Sequence, residues 1–158
     1  MSAAAPRASG PRVADCPLCR PPAAADILWS DDRAWVILVD QSQATQVWPG
    51  FCRVIWKDHV AEMTDLTPAD RAHLMGIVWD VEAALRAALH PDKINLASLG
   101  NVVPHLHWHL IPRWCDDRNF PESIWGSPPQ GKCGPDATES AVRLASTRQI
   151  RAELLKRR

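Results

Sequence analysis

Half of the six histidines in this 158-residue chain stand at alternate positions of one short stretch, His105-Leu106-His107-Trp108-His109-Leu110-Ile111-Pro112-Arg113. Alternation is the period of a β-strand, so an extended segment turns the three imidazoles to one face and Leu106, Trp108 and Leu110 to the other. Cα atoms two positions apart on a strand lie about 6 to 7 Å from one another, so neighbouring rings can share one phosphate or one metal ion. Three chemistries suit such a face. Two histidines at i and i+2 can chelate a catalytic cation, generally with a further His or carboxylate. A neutral imidazole can attack a phosphorus or carbonyl centre while its neighbours orient it or donate to the developing negative charge. The face can also hold an anion passively. Histidine has an unperturbed pKa of roughly 6.5, which serves any of these roles near neutral pH.

A second pattern lies far upstream, Cys16-Pro17-Leu18-Cys19. A redox Cys-x-x-Cys is expected just after a strand, at a helix N-terminus that stabilises its thiolate, and nothing nearby has that form. Metal binding needs two further ligands. The chain has five cysteines, an odd number and a low density, which points to a reducing cytoplasm rather than a secreted disulfide scaffold. Cys52 and Cys115 sit within or beside apolar runs and are expected to be buried. Cys133, in a Gly/Pro loop, carries no inference.

The elements that must position these residues are legible in outline. Asp26 to Ser30, Ala34 to Val39 and Phe51 to Trp56 read as strands, with a Ser30-Asp31-Asp32 turn and a polar loop closed by Pro49-Gly50 between them. Thr67 as N-cap, Pro68 in the first turn and Asp70 three residues after the cap predict a helix start. Leu74, Ile77, Val78, Val81, Ala84, Leu85 and Ala88 then form one apolar stripe, which Pro91 ends. Lys93 to Leu99 returns to a strand, Gly100-Asn101 signals a turn, and Val102 to Pro112 carries the histidines, so the last two strands should pair antiparallel. Pro and Gly break regularity beyond Pro112, and Thr138 to Lys156 resumes a helical pattern. The order predicts an α+β domain with a mainly antiparallel sheet, one central helix and a C-terminal helix. We expect a mobile tail over 1–13, the main domain over 14–126, and a loop with the C-terminal helix over 127–158.

The length suffices for one domain with a real core. Eighteen basic and eighteen acidic residues leave no global field that would draw nucleic acid or a membrane, so any anionic ligand must be held locally. No apolar run is as long as a bilayer span.

The histidine stretch, with its apolar interleaving and closing Pro112-Arg113, resembles the signature of the histidine triad family. Leu38-Val39-Asp40, Pro49-Gly50, a strand and then His59 resemble that family's order ahead of its central helix, so the likeness runs from Cys16 to Trp125. It implies a nucleotide-binding domain whose five-stranded antiparallel sheet joins that of a second copy in a homodimer. It also implies hydrolysis or transfer of nucleotidyl groups from dinucleoside polyphosphates or nucleoside phosphoramidates. Carried onto this chain, His107 would attack the α-phosphorus and His109 would donate to a phosphoryl oxygen, while Asp40 would accept from the ribose hydroxyls. Asn95 and Asn101 offer amide donors for phosphate oxygens, although turn or edge roles suit them as well. Branches of the family use a Cys-x-x-Cys pair, a His after the Pro-Gly strand and the first triad His. That pattern makes Cys16, Cys19, His59 and His105 the candidates for a structural zinc site with no catalytic cofactor.

The chain departs from the family pattern at two places. Gly-Gln followed by Ser or Thr becomes Gly100-Asn101-Val102, and Pro-Gly-His becomes Pro49-Gly50-Phe51. The missing hydroxyl leaves a nucleotide-binding or regulatory module with little turnover as an alternative, and the histidine face itself leaves a metal-dependent hydrolase. Trp114 and Trp125 belong to a segment that could cover the nucleotide site or meet a dimer partner. His73 and His90 are expected to be solvated residues or helix caps.

Overall fold

The computed structural model describes residues 12–39, 48–131 and 147–158. Five strands, β1 (Ile27–Ser30), β2 (Ala34–Leu38), β3 (Cys52–Trp56), β4 (Lys93–Ala97) and β5 (His107–Arg113), form one sheet in the order β1-β2-β3-β5-β4 with every neighbouring pair antiparallel. Among the described residues two α-helices, α1 (Pro68–Leu89) and α2 (Thr147–Leu155), complete the α+β fold. No helix among the described residues is long and apolar enough to cross a membrane.

Helix α1 begins as the sequence predicts. Thr67 accepts a hydrogen bond from the Asp70 backbone N–H at 3.2 Å, and Pro68 occupies the first turn. The stripe from Leu74 to Leu85 is buried against Val36, Val54, Trp56, Ile94 and Leu110, all on the same side of the sheet. His90 caps the other end in a left-handed conformation. Ile150 and Leu154 of α2 enter the same core, and Arg158 pairs with Asp80 of α1 at 2.9 Å while its guanidinium lies over Trp29. Among the described residues the far side of the sheet carries no helix, and His107 and His109 face it.

Two expectations need correction. The triad strand begins at His107 rather than Val102, and the turn at Gly100-Asn101 is only part of a longer connection. Pro104 lacks the N–H a ladder needs, and Leu106 instead donates to Val60 at 2.7 Å and accepts from Trp56 at 3.1 Å, beside the end of β3. Cys115 is exposed rather than buried, because it lies in the turn after β5, where its backbone N–H donates to Asp92. Cys52 is buried as expected. Of the expected C-terminal helix, 138–146 and Cys133 lie outside the described residues.

Candidate active site

Register explains how the site is assembled. In the β3–β5 pair, Arg53 lies opposite His109 and Ile55 opposite His107, so these four side chains share the face away from α1. Gly50 adopts φ +75°, and a Cβ there would come within 2.3 Å of Leu89, so only glycine makes the turn that leads into β3. Phe51 follows it and packs against His109, with ring centroids 5.6 Å apart.

His107 and His109 meet edge to face at 4.7 Å. The Nδ1–H of His107 donates to the backbone carbonyl of His105 at 2.6 Å. That bond fixes the tautomer and leaves the lone pair on Nε2, which bonds to no described residue. Burial pushes the His107 pKa below its usual value and the nearby Arg53 charge adds to this, so the ring is neutral and nucleophilic. His109 is pushed down to about 4 by burial, by His107 and by Arg53. Its buried Nδ1 has no partner among the described residues. A buried N–H without an acceptor is rarer than an unfilled acceptor, so the proton belongs on Nε2, where it can be donated to a ligand.

His105 takes no part in this pair. Its Nε2–H donates to the Trp56 carbonyl at 2.6 Å, and its Nδ1 faces Cys16 Sγ at 3.3 Å and Cys19 Sγ at 3.5 Å. His59 Nδ1 lies 3.4 Å from Cys19 Sγ. The four donor atoms all fall within 4.8 Å of one another. A tetrahedral zinc ion with ordinary Zn–S and Zn–N bonds has S···N edges of about 3.5 Å, so this donor set fits the ion. The bond to the Trp56 carbonyl supplies the outer-shell partner that metal-bound histidines ordinarily have.

The other predicted residues are distributed more widely. Asn95, on β4 opposite Ile111, directs Oδ1 to Arg113 at 2.7 Å, two positions from His109 along the same face. Asn101 is exposed in the connection before β5, and Asp40 lies outside the described residues. Three features went unread in the sequence. Ser98 Oγ donates to the His107 carbonyl at 3.0 Å. Arg113 is buried and forks onto both Asp117 oxygens at 2.7 and 2.9 Å, and it also donates to the Glu122 carbonyl. Burial works against the Asp117 carboxylate, yet Arg113 holds its pKa below the usual range. This knot ties down the segment that brings Trp125 edge-on to His109 at 5.2 Å. The third feature is Arg53. Its signal is the alternation Phe51-Arg53-Ile55 against Cys52-Val54-Trp56, but the register that sets it beside His109 is not a local property.

The fold has counterparts among known proteins. The model of the HIT domain matches residues 21–115. Over 109 residues the chain is 30% identical to an AP-4-A phosphorylase of Mycobacterium tuberculosis, a match covering 65% of this chain and 54% of that protein. The chain thus spans about half the length of the curated relatives it matches. A histidine triad (HIT) protein of Sinorhizobium meliloti has a similar structure, with TM-score 0.60, 28% identity, and coverage of 84% of this chain and 88% of that one. A histidine triad protein of Bradyrhizobium japonicum gives 0.59, 27%, 78% and 88%. With one domain model spanning the sheet, α1 and the triad strand, this chain belongs to the HIT domain family.

Proposed function

We propose that the protein is a nucleotidyl hydrolase or transferase that works through His107. One observation carries the reading: the bond from His107 Nδ1–H to the His105 carbonyl leaves an unprotonated Nε2 on an otherwise buried ring, 4.7 Å between centroids from a second neutral imidazole. Nε2 attacks the α-phosphorus of a nucleoside phosphoramidate or dinucleoside polyphosphate. A P–N bond forms as the bond to the leaving group breaks, and the leaving group departs with the electron pair. His109 donates from Nε2 to a phosphoryl oxygen. Water then cleaves the nucleotidyl-histidine to give a nucleoside monophosphate and restore the ring. Asp40 holds the ribose hydroxyls, and Asn95 and Asn101 supply amide donors for phosphate oxygens. The likeness to an AP-4-A phosphorylase supports a nucleotide substrate.

Cys16, Cys19, His59 and His105 hold a structural zinc ion, which fixes His105 and through its carbonyl the tautomer of His107. The working form is a homodimer joined through β4. Incubation with an adenosine phosphoramidate or a dinucleoside polyphosphate, followed by acid-free quenching and mass spectrometry, should show AMP and an adenylyl adduct on His107. His107→Ala should lower AMP release at least 1,000-fold, on the scale expected when a covalent nucleophile is removed. Full activity in that variant overturns the mechanism.

A further inference from the structure

Two arginines project from the sheet onto the histidine face, and the fold treats them differently. Arg113 is fully buried, and Asp117, Asn95 and the Glu122 carbonyl satisfy its guanidinium. Arg53 lies on β3, an interior strand, between Ile37 of β2 and His109 of β5 in register. No described carboxylate pairs with it, and its Nε is sealed from solvent without an acceptor. The Phe51 ring lies 5.8 Å from the guanidinium carbon. A half-buried cation with no described counterion and a sealed Nε is costly, and here it stands opposite His109 on the face that carries His107. An anion brought to His107 would remove that cost. The planar fork of a guanidinium matches a pair of phosphoryl oxygens, and its charge favours a phosphorylated ligand over a neutral one.

We propose that Arg53 is a phosphate-binding residue of the transfer site, its guanidinium pairing with phosphoryl oxygens of the nucleotide whose phosphorus His107 attacks. This rests on the nucleotidyl reading above and adds a contact that the triad alone does not provide. Pairing in the ground state anchors the phosphate. Charge that builds on the phosphoryl oxygens during transfer strengthens the same contact.

Calorimetric titration of wild type, Arg53→Met and Arg53→Lys with AMP and with adenosine tests the assignment. Arg53→Met should weaken AMP at least tenfold and leave adenosine within twofold, and Arg53→Lys should recover part of the loss. Unchanged AMP affinity in Arg53→Met, or adenosine weakened as much as AMP, overturns it. Thermal unfolding provides a second readout. Removing a half-buried cation that no described carboxylate pairs should leave Arg53→Met at least as stable as wild type, whereas a clear loss of stability without loss of AMP affinity would make Arg53 a packing residue. The two readings can fail separately. Wild type that binds AMP through Arg53 but forms no adduct defeats the turnover and leaves this contact standing. Wild type that releases AMP, with an Arg53→Met variant of equal AMP affinity, defeats only the contact. No AMP binding by wild type defeats both.

Discussion

The three triad histidines are chemically identical in the sequence and distinct in the fold because each has different neighbours. His105 gives its Nε2–H to the Trp56 carbonyl and turns Nδ1 toward two thiols; His107 gives its Nδ1–H to the His105 carbonyl; His109 has no partner for Nδ1 among the described residues. Burial with two cationic or titratable neighbours holds His109 at about 4, against about 6.5 when unfolded. The unfolded chain therefore binds a proton at this position between those values and the folded chain does not, so stability contributed here is complete above about pH 6.5 and is lost as pH falls toward 4. Between pH 7.5 and 5.0 the loss should be on the order of 2 kcal/mol. Urea unfolding at pH 7.5 and 5.0 should show a larger fall for wild type than for His109→Gln, and an equal fall in both would contradict the assignment. At this scale the sequence displays residue types well: parity alone separates His107 and His109 from Trp108 and Leu110. It does not display Arg53 beside His109 or Ser98 under His107, because both depend on which residue of another segment lies opposite.

Elements bring the two sites together by continuing a single strand pair. β3 and β5 are antiparallel, so the residues after Trp56 and those before His107 run on side by side, and His59 comes to face His105 with ring centroids 5.1 Å apart. A short turn at Pro17–Cys19 delivers both thiols to them. The knuckle belongs to no strand, so the proposed zinc ion would be its main attachment to the sheet. Metal analysis of purified protein should find one zinc per chain. Cys16→Ser should lose it, and unfolding should come about 10 °C earlier, the scale of several kcal/mol in a chain of this size. Full metal content in Cys16→Ser would break the assignment. The helix and its cap could be read locally, since Thr67, Pro68 and a regular stripe suffice. The start of β5 could not, because alternation continues through His105 while the backbone bonds of Leu106 go to Val60 and Trp56. Periodicity shows where side chains would point on a strand. It does not show where the ladder begins.

At the scale of the whole molecule, the two edges of the sheet differ. Beside β1, α2 brings Arg151 to the Ile27 carbonyl and Arg158 over Trp29, so that edge is covered by the chain itself. β4 is the other edge, with a single charged residue, Lys93, and with Leu96 exposed on the α1 side. Glu82 of α1 lines a cavity with Lys93 and Leu96, and Trp79, one turn earlier on that helix, is 61% exposed. An open strand edge beside an exposed tryptophan is a surface suited to a second sheet, and the ladder and the apolar patch would be covered together. This is the physical support for the proposed dimer, since a two-fold operation sets β4 against its own copy and Trp79 near its counterpart. Because Asn95 and Ala97 lie on β4 one strand away from His109, the joined edge would also stiffen one wall of the site. Light scattering should give a mass twice the 17.5 kDa of the chain. A Trp79→Glu and Leu96→Lys double variant should elute as monomer and retain the far-ultraviolet circular dichroism of wild type. A dimer that survives both charges would place the interface elsewhere.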